Sequence, residues 1–429
     1  MEVSPCEFRD WAHLLPTEIV QAISNKVKSI TDYVRFRAVC SPWRSASLPK
    51  PAHLPPQLPW LMIPYKPWES HSNKDDGIRL FYDLFESKMR KLHLPETIGL
   101  MCCASYRGWL LLVATTKGAE VFLLNPLTRA RVDLPSFTTP VRRLRGDSSA
   151  PGYDARWVFN YNFVITRVTF SSDLTDPNCL IMVFVERCWG VFCCRVGDPR
   201  WTMVNIRPTN APTGDAAYYN GCFYLLSKGV MHITEFDKPE IPITCFLEDN
   251  LRDSNLFLLE GKSGLHVVAI HDTEVGDEEE PGLDDEHHAD NTTEGTEKGI
   301  KQTFELHQIY HDTNKKYAGQ PPPEILRLHS DLKKITDTSN STIFCGEKHH
   351  FVAVCSDDWD SLNGDCMYIA HKNEPSPGKD HDGKYCHNYY SISFVKIDGT
   401  KYQTVAFEIA GEPPIWPPAP AMWFQPSYV

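Results

Sequence analysis

Thiolates, imidazoles and carboxylates are the side chains from which metal and catalytic sites are built, and this chain gathers them in two places. Toward its carboxyl end stand Cys366, His371, His381, Cys386 and His387, donor types that zinc prefers. Their spacing is irregular and no C-x-x-C pair anchors them, so they read as loop and strand residues rather than a metal centre. Between Glu274 and Glu297 runs a dense acidic stretch that encloses His287 and His288. It lacks the alternating ligands and fixed glycine of a calcium loop, and low-complexity acidity of this kind predicts a disordered excursion. Asn291-Thr292-Thr293 fits the N-glycosylation pattern, which is idle without a secretory signal. No G-x-x-x-x-G-K-[ST], G-x-G-x-x-G or G-x-S-x-G occurs, so neither a phosphate cradle nor a nucleophile elbow is written locally. The expectation is no catalytic residue, no metal and no cofactor.

Recognition is the remaining chemistry, and aromatic side chains carry much of it at interfaces. Of Trp157, Trp189, Trp201, Tyr218, Tyr219, Trp359 and Trp416, most are expected in the core. Trp201 and Tyr218 sit in strand-like runs, whereas Trp157 and Trp359 lie in polar, turn-rich segments and are the candidates for binding a substrate.

Composition narrows the partners. The formal net charge of −12 argues against nucleic-acid binding, which needs Lys and Arg to displace counterions. The start shows no charged-then-apolar leader, and no apolar run approaches the ~20 residues of a membrane span. Of the 14 cysteines, doublets such as Cys102-Cys103 and Cys193-Cys194 fall in apolar runs, where the thiol behaves as a small hydrophobe. A reducing location follows, cytoplasmic or nuclear, with no membrane partner.

Two kinds of element must position whatever binds. At the amino-terminal end, Leu15-Pro16 is a helix entry, and Ile19, Val20, Ile23 and Val27 form an apolar stripe of 3.6-residue period. Asp32 is placed to cap a second helix bearing Tyr33, Phe36, Val39 and Cys40. Ser41-Pro42 opens a third with Trp43 and Ala46. Three such helices are too few to close a core, because so short a chain buries too little surface to offset its ordering entropy. A partner is expected.

Prolines at 49, 51, 55, 56, 59, 64 and 67 then exclude continuous helix and predict an extended, semi-rigid spacer, with Leu54, Trp60, Leu61 and Met62 as anchors packing on the next domain. From about Leu80, short runs rich in Val, Ile, Phe, Tyr and Trp alternate with Gly, Asn, Asp and Pro. Examples are Gly108 to Ala114, Glu120 to Asn125, Ala130 to Leu134 and Ile165 to Phe170, with Asn220-Gly221 as a hairpin turn. Glu324 to Leu328 reads as the last strand of a later set. Units of about 45 to 50 residues with four strands each point to a β-propeller, and Met422-Trp423-Phe424 is a candidate closing strand. A chain of β-sandwiches is the competing architecture.

The ordered series Leu15-Pro16, Glu18-Ile19-Val20, Ile23, Val27, Asp32, Arg35-Phe36-Arg37, Val39-Cys40 and Trp43-Arg44 resembles an F-box. Pro42 stands where many F-boxes have a polar or basic residue. The resemblance implies docking on the adaptor subunit of a cullin-based (SCF-type) ubiquitin ligase, with Leu15, Pro16, Ile19, Val20, Ile23, Val39 and Trp43 in contact. Further blocks, GWLLLVA, FLLNPLTR, DPNCLIMVF, DPRWTMVNI, YYNGCFYLL, SISFVKIDG and PPIWPP, resemble plant F-box proteins with the kelch-like "domain of unknown function 295". The expected fold is α+β and multidomain: an F-box at 8–47, a proline-rich linker at 48–79, and a mainly antiparallel propeller at 80–429 with the acidic insertion at about 274–300. The expected function is non-catalytic substrate recognition for ubiquitylation. A propeller scaffold that does not promote turnover, or an enzyme using the propeller channel, are the alternatives.

Overall fold

The computed structural model describes residues 15–49, 51–63, 76–114, 120–137, 142–143, 165–185, 190–204, 214–227, 230–235, 238–247, 251, 255–261, 264–274, 300–309, 326–327, 332–335, 341–346, 351–372, 389–396, 401–408 and 422–427. The acidic insertion, Trp157, His381, Cys386 and His387 lie outside them. Among the described residues, three short helices precede six sheets arranged as the blades of a β-propeller.

Helix α1 spans Thr17–Ser24, α2 Ile30–Ala38 and α3 Ser41–Ala46. The cap of α2 is Ser29, whose hydroxyl accepts from the Asp32 N–H at 3.4 Å. This corrects the expectation that Asp32 is the cap: it lies in the first turn, where its charge suits the helix dipole and pairs with Arg35 at 3.0 Å.

Each blade is built on an antiparallel meander, with the exceptions noted below. The first combines Met422–Phe424, Trp60–Ile63, Ile78–Asp83 and Lys88–His93, so strands from both ends of the chain close the ring. Trp60–Ile63 falls inside the stretch expected as a spacer, because four apolar residues between prolines are too short a run to announce a strand. The second blade holds Leu100–Tyr106, Trp109–Ala114, Val121–Leu124 and Arg131–Leu134; the third Ile165–Phe170, Leu180–Val185, Gly190–Arg195 and Thr202–Val204. The fourth holds Gly214–Tyr219, Cys222–Ser227, Val230–Glu235 and Lys238–Phe246; the fifth Asn255–Gly261, Gly264–Glu274, Ile300–Ile309 and Leu332–Ile335.

Short parallel strands, Arg142–Arg143 and Leu326–Arg327, cover the outer edges of the third and fourth blades. The run Glu324 to Leu328 is therefore not the last strand of its own blade. Its core, Leu326–Arg327, pairs with the preceding one. The sixth blade runs Phe351–Cys355, Ser341–Cys345, Cys366–Lys372, Tyr389–Lys396 and Lys401–Glu408, with Ser341–Cys345 parallel to Cys366–Lys372. A parallel neighbour needs a crossover, which residues 356–365 supply; they are pinned by Asp365 N to Ser341 O at 3.0 Å and Thr342 Oγ1 to Asn363 O at 2.8 Å.

Apolar clusters fill the space between every pair of neighbouring blades. Side chains alternate across a strand, so Leu110 and Leu112 pack toward the first blade while Leu111 and Val113 pack toward the third. Both faces of the sheet are thus buried, which is why WLLLVA and LIMVFV are unbroken apolar runs rather than alternating ones. Two-residue hairpins at 107–108 and 220–221 join neighbouring strands of the second and fourth blades. Arg107-Gly108 and Asn220-Gly221 have positive φ at both positions, the backbone that matches strand twist. At Gly108 a Cβ would also meet Ser427 Oγ at 1.8 Å, so the carboxyl-terminal strap packs directly on this turn.

Candidate functional site

Among the described residues, the three helices leave apolar side chains exposed. On α1, Ile19 and Ile23 are one turn apart and 47% and 41% exposed; Val39, just past α2, is 54% exposed. Pro16 is exposed and Leu15 and Trp43 are half-buried. Val20 departs from the expected set: it is 2% exposed, on the inward side of α1 beside the buried Ser24. Both Ile19 and Val20 lie in one apolar stripe, and packing among the helices chooses which turns in. Val34 of α2 is also 42% exposed.

The opposite side of α2 is sealed. Ile30, Tyr33 and Phe36 are buried, with the Phe36 ring 4.6 Å from that of Trp43. Arg37 donates to the Ser47 carbonyl, and Arg44 Nε donates to the Arg37 carbonyl at 3.2 Å, which closes the turn into and out of α3. The Trp43 indole N–H is buried and has no hydrogen-bond partner among the described residues.

Residues 48–49 and 51–59 run along this side as a strap held to α2. Tyr33 Oη donates to the Leu48 carbonyl at 2.9 Å, and its ring meets His53 at 5.5 Å. Gln57 is 6% exposed. Its Oε1 accepts from the Ile30 N–H at 2.7 Å, while Nε2 donates to Lys28 O at 3.0 Å and Pro55 O at 2.7 Å. Sequence reasoning missed this residue; its signal is a lone amide among prolines in an apolar run. Trp359, expected to be a substrate contact, is half-buried between the sixth and first blades and donates through Nε1 to Pro56 O at 2.9 Å.

Other reactive groups are used internally. Arg167 and Asp215 form a buried pair at 2.6 Å, and Asp215 also accepts from the Leu258 and Ala216 N–H groups, each at 2.8 Å. Burial pushes the Asp215 carboxyl above its ordinary value, with Arg167 pulling the other way. Tyr106 Oη meets Glu260 Oε1 at 2.5 Å and Arg107 pairs with Glu260 Oε2 at 2.8 Å, a tie between the second and fifth blades. Burial drives the Tyr106 hydroxyl well above its usual pKa. Cys366 is buried, its thiol 3.2 Å from Gly364 O, and no metal-holding cluster of His, Cys, Asp or Glu occurs among the described residues. Nor is any described helix long and apolar enough to cross a membrane.

Comparison with known proteins agrees with this architecture. The sequence model of the KIB1-4 beta-propeller matches residues 81–391, well over half of the chain. F-box protein SKIP23 of Arabidopsis thaliana is 25% identical over 394 residues, 84% of each chain. A putative F-box protein of the same plant is 31% identical over 199 residues, which is 44% of this chain and 45% of the relative's length. Among solved structures, the β-propeller domain of Cps50 (Swd1) from Myceliophteria thermophila aligns at TM-score 0.34 and 11% identity, over 77% of this chain and 80% of that one. TolB from Acinetobacter baumannii aligns at TM-score 0.36 and 10% identity, over 86% and 66%. Likeness at that level carries no argument. The family match and the six blades do: this chain belongs to the KIB1-4 β-propeller family.

Proposed function

We propose that this protein is the target-recognition subunit of a cullin-based ubiquitin ligase, its helices holding the adaptor and its propeller holding a protein to be ubiquitylated. The observation that carries the reading is the exposure of the apolar Ile19, Ile23 and Val39 on helices whose other side is already packed. Such exposure to water costs free energy that a docking partner recovers. The F-box names of the relatives support the same partner, and the kelch-like, "domain of unknown function 295" resemblance is part of this reading. So is a cytoplasmic or nuclear location.

The receptor performs no bond chemistry in this scheme. Its contribution is proximity: a target lysine held near the ubiquitin carrier reacts at a raised effective concentration. The test is co-purification of the adaptor with the full chain and with an Ile19→Asp, Trp43→Ala double variant. Loss of the adaptor from the variant is expected; equal recovery by both refutes the assignment.

A further inference from the structure

Gln57 connects two bodies through two different parts of itself. Its side-chain amide holds the start of α2 by way of Ile30 N and Lys28 O, and its backbone carbonyl accepts from Gln425 Nε2 at 3.2 Å, just beyond the ring-closing strand Met422–Phe424. The next carbonyl back, Pro56 O, takes the Trp359 indole N–H from the crossover of the sixth blade. Leu58 and Trp359 then pack in the apolar cluster shared by the first and sixth blades, and the first-blade strand begins at Trp60.

Both N–H donors and the oxygen of the Gln57 amide are engaged within a buried site, and a flip of the amide would set NH2 against the Ile30 N–H and the oxygen against two carbonyls. Prolines at 51, 55, 56 and 59 restrict the backbone on either side. A spacer meant to swing would need none of these contacts.

We infer that Gln57, with Trp359 on its flank, is a positioning residue that locks the helical face at one orientation to the propeller. A partner on the Ile19–Ile23–Val39 surface and a partner on the propeller are then held at a set separation. The use of that separation in ubiquitin transfer rests on the function proposed above; the joint itself does not.

Single-molecule energy transfer on the full chain tests it, with fluorophores placed through unnatural amino acids at the exposed Glu18 of α1 and the exposed Lys91 of the first blade. The unaltered chain should give one narrow transfer peak. Gln57→Ala should broaden it at least twofold with the thermal midpoint of the propeller unchanged, and Trp359→Phe, which keeps one aromatic ring and deletes the donor, should broaden it less, with only a small drop in that midpoint from the lost packing between the first and sixth blades. If Gln57→Ala unfolds the helices, Trp359→Phe alone decides. A peak as broad in the unaltered chain as in the variants, or one left narrow by the deciding variant, overturns the inference. Adaptor affinity measured on the same samples separates the two claims: a narrow peak without adaptor binding rejects the proposed function and leaves the joint standing.

Discussion

Truncating the exposed apolar side chains, by Ile19→Ala, Ile23→Ala and Val39→Ala together, gives the sharpest measure of the helical surface. These side chains are 47%, 41% and 54% exposed, so about half of each is left for a partner to cover. Full burial of Ile or Val is worth roughly 1.5–3 kcal/mol, which makes each half worth about 1 kcal/mol and the three together about 3 kcal/mol. That corresponds to a loss of about 100-fold in adaptor affinity. Stability should hardly move, since exposed positions of this kind change it by about 0.5 kcal/mol or less and alanine favours helix. Val20→Ala is the counterpart: at 2% exposed it should cost the helical module about 1–2 kcal/mol through a cavity while leaving the outward surface chemically intact. Calorimetric titration of the full chain with the adaptor, beside thermal scans, reads both quantities. A loss of threefold or less in the triple variant, with its fold intact, refutes the reasoning.

Arg167→Met should cost roughly 3–5 kcal/mol at neutral pH, because it strands the buried Asp215 carboxylate. Burial already raises that carboxyl, and removing Arg167 raises it further; a raised folded pKa favours the protonated form in the fold. The deficit should therefore shrink as pH falls through that value, and urea unfolding at pH 7 and pH 5 would show no such convergence if the pair were solvent-exposed. Glu260→Gln removes the charge shared by Tyr106 and Arg107 and should lower the thermal midpoint of the propeller, with Arg107→Met giving a smaller drop; no change in either variant would mean that the tie contributes nothing. Burial pushes the Cys102, Cys193 and Cys345 thiols up to about 12, so mass spectrometry after iodoacetamide at pH 8 should find them unmodified while the half-exposed Cys40 and Cys355 react.

What was legible in the residues alone was local. Leu15-Pro16 and the spacing of Ile19, Val20 and Ile23 announced α1, although Val27, read into the same stripe, lies past its end at Ser24, and Asn220-Gly221 announced a hairpin. The unbroken runs around Leu111 and Val183 announced strands, because a blade buried on both faces has no polar side to write. Strand grammar repeated at near-constant spacing was enough to indicate a propeller, and Met422-Trp423-Phe424 was visible as a closing strand.

Tertiary packing decided the rest. Whether Ile19 or Val20 turns outward depends on how α3 packs against α1, not on periodicity that both residues share. Trp359 donates to the Pro56 carbonyl, some 300 residues away in the chain, a contact that its turn-rich segment does not announce. The sixth blade's parallel pair and the role of Gln57 arise the same way. A hydrogen-bond partner distant in sequence leaves no trace in the spacing around either residue, so composition and period specify elements, and only their assembly specifies the site.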